Sequence, residues 1–245
     1  MQRYFVKEKN NDNFILSDSD IHHIKKVMRC QNNDKIEIVF EKKVYLCNID
    51  DIETLTLSII NSYEEDRESN VNLTIAVALV QEQKFDLILQ KLTELGIDNI
   101  IPVKTERSIV KLDPKKEEKK KQRWETICKE ASEQSHRVTI PKVHNVITLK
   151  QLLNEKKELN LICSLNDNTK PLSVYLESNI KDILFVIGPE GGFTKKEEEF
   201  LSENGFESTT LGKRVLRVET AAIYVASIIN YIYKGWSHEI FNWFL

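Results

Sequence analysis

FVIGPEGGFTKKEEEF, residues 185–200, passes from an apolar strand through three glycines and a proline into a charged helix. ILFVIG (183–188) has the unbroken apolar character of a strand buried on both faces of a parallel sheet. Open α/β sheets place their ligands beyond the C-terminal ends of such strands. Gly188, Gly191 and Gly192 carry no side chains, so a ligand can lie directly against amides and carbonyls. Pro189 stiffens the loop. Thr194 followed by Glu197 forms a T-x-x-E capping box, so a helix starts at once. The chain has only 7 Gly, and three of them sit here. The stretch is therefore either a ligand platform pinned to a helix start or a plain tight turn. As a platform it does not suit phosphate. No Lys-Ser/Thr pair follows the glycines, the spacing is not G-x-G-x-x-G, and Glu190 would repel an anion. A neutral or cationic ligand with an adenine or ribose to hydrogen-bond fits better.

Working outward, strands and helices alternate from Val71 onward. VNLTIAVALV, IDNIIPV, LNLICSL and FESTTLG read as further strands. KFDLILQKLTELG reads as a helix with Ile88, Leu92 and Leu95 on one face and Gly96 as its stop. A long helix is expected over 115–135, with Trp124, Ile127, Cys128 and Ala131 inward, and a last helix from Thr220 to Gly235. This alternation means an α/β domain around a mostly parallel sheet. Residues 1–65 read differently. RYFV, NFILS, KIEIVF, KVYLCNID and TLTLSII are short strands, interrupted by one helix over 18–28 with Ser17 or Asp18 as its N-cap. Five strands and a small helix suggest a compact barrel. EEDRESN (64–70) is a polar linker, which divides the chain into domains 1–68 and 71–245.

Two further stretches carry polar groups at expected element ends. In LGKRVLRVETAAIYVASIINYI (211–232), Gly212 closes a strand and Thr220 can cap the helix. Arg214, Arg217 and Glu219 lie between them. They form either an exposed loop salt bridge of little consequence or a second wall of the cleft at Gly188. In KEASEQSHRVTIPKV (129–143), Glu133, Gln134, Ser135 and Arg137 crowd a helix end, where they either cap it or contact a base or phosphate.

Composition narrows the function classes. The formal net charge is -3, so any nucleic-acid surface must be a local basic patch. Between Lys104 and Arg123 stand nine Lys/Arg against four acids. That run is either a solvated helix with Glu/Lys pairs or such a patch. Four scattered cysteines without a C-x-x-C pair argue against a zinc site or disulfide framework and fit a reducing cytoplasm. His136 and His144 lack metal-ligand spacing, so no metal is expected. No apolar run is long enough to span a bilayer, and the first residues lack the apolar core of a signal peptide.

GPEGGFTKKE, LGKRVLRVETA and EASEQSHR, with MQRYFV, HHIKKVMR and QKLTELGIDNIIPVKTERSIVK, resemble in order the RsmE-type 16S ribosomal RNA uridine-N3 methyltransferases of the SPOUT superfamily. The likeness runs over nearly the whole chain. It implies an α/β fold with a trefoil-knotted SPOUT methyltransferase domain behind an N-terminal PUA-like β-barrel. It implies S-adenosylmethionine as methyl donor, a homodimer, and a uridine of small-subunit ribosomal RNA as target, with the assembled subunit as the expected substrate. By the same likeness Leu165, Ile187, Gly188, Pro189, Glu190, Gly191, Gly192, Leu211, Gly212, Leu216 and Thr220 hold the cofactor. Arg217 would stabilise the developing uracil anion and Glu219 would act as base or orienter. RNA would be gripped by Arg3, Lys25, Arg29, Arg107, Arg123, Gln134, Ser135 and Arg137. The alternatives are a methyltransferase of this superfamily acting on another RNA, and a non-catalytic RNA-binding or assembly protein. The sequence departs from the family at Asn33, where a glycine is common, and at Glu41–Lys42–Lys43, which replaces a glycine after the IEIVF strand. The aromatic tail, with Trp236, Phe241, Trp243 and Phe244, is longer than usual and is expected to pack on the domain or on a partner subunit.

Overall fold

The computed structural model describes residues 1–10, 13–66, 68–110, 113–164, 166, 169–176 and 180–233. The aromatic tail and Gly235 lie outside the described residues. The chain divides into two compact units, Met1–Glu68 with Lys129–Ile140, and Ser69–Cys128 with Pro141–Leu245. The expectation placed 129–140 in the second domain. The structure folds that segment with the first unit instead.

In the first unit, β1 (Arg3–Phe5), β4 (Lys35–Phe40), β5 (Lys43–Asp51) and β6 (Thr56–Glu64) form one sheet in that order, and β2 (Glu8–Asn10) pairs with β3 (Asn13–Ile15). Helix α1 (Asp18–His22) continues as a π-helical turn over His23–Val27. Ser17 caps it by accepting from the Asp20 amide. The β4–β5 hairpin turns on Glu41 and Lys42, both with positive φ (50° and 64°). Two left-handed residues suit the right-handed twist of a two-residue hairpin, so the turn survives without glycine at some cost in strain. Asn33 is likewise left-handed (φ 73°), a region asparagine tolerates.

A buried ion cluster replaces the expected phosphate grip of Arg3. Arg3 is 1% exposed. Nε donates to Glu37 Oε2 at 2.9 Å, and Nη1 donates to Glu65 Oε2 at 2.9 Å and to the His136 carbonyl at 2.7 Å. Glu37 also accepts from the Tyr63 hydroxyl at 2.8 Å. Arg137 is similarly buried, with Nη2 donating to Glu68 at 2.7 Å. Glu133 accepts from the Phe5 amide and pairs with Lys129, which also reaches Asp20. These bonds tie 129–140 to β1 and β4, which explains its place in the first unit. Buried and paired, Arg3 with Glu37 and Glu65 and Arg137 with Glu68, both guanidinium groups are turned inward and bind this unit together.

The second unit is built on one parallel sheet. Its strands are β7 (Asn72–Ala78), β8 (Asn99–Lys104), β9 (Lys142–Val143), β10 (Ile147–Thr148), β11 (Leu159–Cys163), β12 (Lys170–Pro171), β13 (Asp182–Ile187) and β14 (Glu207–Thr210). The order is β10-β8-β7-β13-β11-β14-β12, with β9 on β8. β13 enters between two strands laid down earlier, β7 and β11, and β14 enters between β11 and β12. The helices are α2 (Glu82–Glu94), α3 (Pro114–Gln134, whose end from Lys129 belongs to the first unit), α4 (Leu149–Leu152), α5 (Lys195–Glu203) and α6 (Val218–Tyr233). Gly96 ends α2 in the left-handed region at φ 79°.

β13 accounts for the layering. Ile183, Phe185 and Ile187 face one core with α2, α6 and Trp124, while Leu184 and Val186 face a second core with α4, α5 and Phe206. A strand buried on both sides needs the continuous apolar run seen in the sequence. Each such side chain contributes about 1.5–3 kcal/mol on burial. Among the described residues, no helix is long and apolar enough to cross a membrane.

Candidate active site

All the sheet's neighbours run parallel, so the segments after β11, β13 and β14 leave from the same edge. There they enclose a cleft of ≈ 1090 Å³. Its lining includes Ile187, Gly188, Pro189, Glu190, Gly191, Gly192, Leu211, Gly212, Leu216 and Arg217 from the predicted set. The two separate stretches read from sequence therefore meet in one site. Leu165 lies outside the described residues.

The glycines differ in why they must be glycine. A Cβ on Gly188 would stand 3.2 Å from the Phe193 ring, whose side chain is fixed in the core. Gly192 has φ +66° and Gly212 has φ +117°, conformations that side chains rarely adopt. The loop then ends in the predicted capping box. The Glu197 amide donates to Thr194 Oγ1 at 3.3 Å, and the Thr194 amide donates to Glu197 Oε2 at 2.8 Å. Replacing Thr194 by alanine is expected to destabilise the unit by about 1 kcal/mol, a fall in Tm of about 2–4 °C by calorimetry.

The lining also carries Cys163, Ser164, Asn166 and Tyr175. The Ser164 hydroxyl donates to Glu198 Oε1 at 2.8 Å, and Asn166 bonds the other Glu198 oxygen. Burial pushes the Cys163 thiol up to about 12, so it stays a neutral thiol. Glu190 pairs with Lys84 at 2.7 Å. Burial alone would raise its pKa, but the Lys84 bond outweighs this and holds it low. Its charge is thus partly neutralised within the chain, and Lys84 is a neighbour the sequence did not flag.

Two predicted residues do not line the cleft. Helix α6 begins at Val218, two residues before the Thr220 cap that was expected. Thr220 is exposed on the helix, outside the lining. Glu219 sits in the first turn of α6, where a carboxylate suits the helix dipole. Its Oε2 is buried without a hydrogen-bond partner. Arg217 precedes this turn, exposed and in the cleft lining.

The remaining predicted RNA contacts are placed as follows. Lys25 donates to the Glu53 carbonyl at 2.7 Å, and Arg29 is exposed with φ 54°. Gln134 is exposed, while the Ser135 hydroxyl donates to the Ala131 carbonyl as a helix-end cap. Arg123, about half exposed, pairs with Asp86 at 2.7 Å and with Glu82. Arg107 lies in the cleft lining, against the glycine loop. Among the described residues no three His, Cys, Asp or Glu side chains are grouped to hold a metal ion.

A parallel sheet with a glycine-floored cleft at its C-terminal edge, in a chain that also folds a small strand-rich unit, defines a class. Residues 67–230 match the RNA methyltransferase domain family, and residues 16–60 match the RNA methyltransferase PUA domain family. The chain is 36% identical to ribosomal RNA small subunit methyltransferase E of Bacillus subtilis, covering 94% of this chain and 96% of that one. The protein of that name in Mesomycoplasma hyopneumoniae is 34% identical, covering 92% and 97%. A ribosomal RNA small subunit methyltransferase E from Neisseria gonorrhoeae, solved bound to S-adenosyl methionine, is 30% identical with a TM-score of 0.87, covering 97% of this chain and all of that one. The chain belongs to the ribosomal RNA small subunit methyltransferase E family.

Proposed function

We propose that the protein transfers a methyl group from S-adenosylmethionine to N3 of a uridine in the RNA of the small ribosomal subunit. The observation that carries this reading is the cleft itself. A glycine floor at Gly188–Gly192 and a second wall at Leu211–Arg217 meet at the carboxyl edge of a parallel sheet. Its ≈ 1090 Å³ has room for a nucleoside-sized ligand together with a target base. The residues fit the methyl donor: apolar Ile187, Leu211 and Leu216, open backbone at the glycines, and no phosphate-binding lysine in the loop.

S-adenosylmethionine would supply an electrophilic methyl carbon beside its sulfonium. The chain's share is placement and electrostatics. The glycine loop and Leu216 would hold the donor, and the cleft would bring N3 into line with it. Arg217 would face the uracil carbonyl oxygens, where charge gathers as N3 loses its proton. With Glu219 outside the lining, water is the simpler proton acceptor. RNA contacts would come from Lys25, Arg29 and the exposed Gln134 on the first unit, and separately from Arg123 on the second.

Three finer features belong to the same reading. The entry of β13 and β14 between earlier strands supports a trefoil knot in the second unit, a threading otherwise nearly absent from proteins. The first unit's sheet and hairpin support a PUA-like barrel. A homodimer would cover the exposed Tyr224, Tyr231 and Ile232 of α6. The enzyme would act in the cytoplasm, on an assembled small subunit, because a chain of net charge -3 needs shape as well as charge to hold RNA.

Calorimetry with S-adenosylmethionine is expected to show binding, and its absence would leave a non-catalytic RNA-binding protein. Mass spectrometry of 16S RNA from a deletion strain should show one 3-methyluridine lost. If every methyluridine persists, the target is another RNA.

A further inference from the structure

The turn after β8 grips the glycine loop. Thr105 and Ser108 close this turn, with their hydroxyls 2.8 Å apart and the Ser108 amide donating to the Thr105 carbonyl. From it the Glu106 amide donates to Glu197 Oε1 at 2.8 Å. Arg107 Nη1 donates to the Gly191 carbonyl at 2.7 Å and to the Phe193 carbonyl at 3.2 Å. The Arg107 Cδ lies 3.4 Å from where a Gly191 Cβ would stand, so the side chain runs along the loop.

These bonds fix two peptide planes from both ends. In the Gly191–Gly192 peptide, the carbonyl accepts from Arg107 while the amide donates to the Pro189 carbonyl at 2.8 Å. In the Phe193–Thr194 peptide, the carbonyl accepts from Arg107 while the amide donates to Glu197. Arg107 is the group common to both. A planar guanidinium on two carbonyls holds an orientation that a flexible ammonium cannot.

We propose that Arg107 is a positioning residue that latches the glycine-rich loop and so sets the aim of its backbone at the ligand. Its role toward S-adenosylmethionine rests on the function proposed above. Its role toward the loop rests on geometry alone. Arg107 thus acts through Gly191 and Phe193 and not as a phosphate contact.

Hydrogen exchange of the ligand-free full chain separates the two. In R107A the hydrogen-bonded amides of Gly192 and Thr194 should exchange about tenfold faster or more, as expected for losing two charge-assisted bonds. Tm should fall by only about 2–5 °C, and R107K should be intermediate. Calorimetry with S-adenosylmethionine should then show a Kd raised about tenfold in R107A, while the salt dependence of RNA binding stays as in the wild type. Unchanged exchange in R107A overturns the latch. So does wild-type cofactor affinity combined with a smaller salt slope for RNA, which would make Arg107 a phosphate contact. A wild-type chain that binds no S-adenosylmethionine removes the cofactor reading, and the exchange result still decides the latch.

Discussion

Arg217→Ala is expected to lower the rate of methyl transfer by about 100- to 1000-fold, the usual effect of removing one preorganised donor from a developing anion. Affinity for S-adenosylmethionine should change little, because the loop backbone and Leu216 would carry that binding. The position itself argues for the role. Leu216 packs against the core and Val218 is buried, so the residue between them is held while its own side chain is exposed into the cleft. A cation there also precedes the positive end of α6, which costs about 0.3–1 kcal/mol. Among the described residues no salt bridge of Arg217 offsets that, whereas Glu219 in the first turn has the favoured sign. Uracil N3 is a poor nucleophile until its proton leaves, and the resulting charge spreads onto two carbonyl oxygens. An arginine facing them acts in the transition state more than in the ground state. Single-turnover kinetics with saturating donor check this. A rate within threefold of wild type would remove Arg217 from the chemistry, and a matching rise in donor Kd would reassign it to binding. Arg217→Lys should recover part of the loss, since charge is kept and the fork is not.

What the sequence disclosed follows from how local each signal is. The run ILFVIG needs only its own apolar continuity to read as a doubly buried strand. Three glycines beside a T-x-x-E box mark a strand-to-helix loop within ten residues, 188–197. Both were legible, and so was the meeting of 188–192 with 211–217, because parallel strands deliver their ends to one edge. Charged residues were harder. Arg3 looks the same in sequence whether it grips phosphate or lies 1% exposed between Glu37 and Glu65. Its partners are 34 and 62 residues away, and nothing local announces them. The same distance hid the docking of 129–140 on β1 and the bond of Arg107 to Gly191. Glu219 misled for a different reason. The helix started two residues early, and one hundred degrees of rotation per residue decides whether a side chain faces a cleft.

Arg3→Met should destabilise the first unit by about 3–5 kcal/mol, since removing one partner of a buried pair strands the other charge. Two carboxylates lose their shared cation here, and the carbonyls of His136 and Arg137 lose a donor. The segment 129–140 should therefore loosen together with β1, which trypsin sensitivity near Lys129 and Arg137 can report. The triple change R3M/E37M/E65M removes all three charges together and should recover most of the loss, because the desolvation penalty leaves with them. A pH signature accompanies the cluster. Burial would raise the Glu37 pKa, but hydrogen bonds from Arg3 and Tyr63 outweigh it and hold it below its ordinary value. Glu68 is held low in the same way, burial being outweighed by Arg137. A carboxylate depressed in the folded state adds stability above its unfolded pKa, about 4.3, and that stability is lost as pH falls through the folded value. Glu133 works in the opposite direction, because burial raises its pKa despite Lys129, and it offsets part of the gain. Urea midpoints should thus fall below about pH 4.3 in the wild type, and less steeply in R3M, where Glu37 no longer has its cation. An R3M midpoint equal to wild type at neutral pH would mean that the cluster forms without holding the unit together.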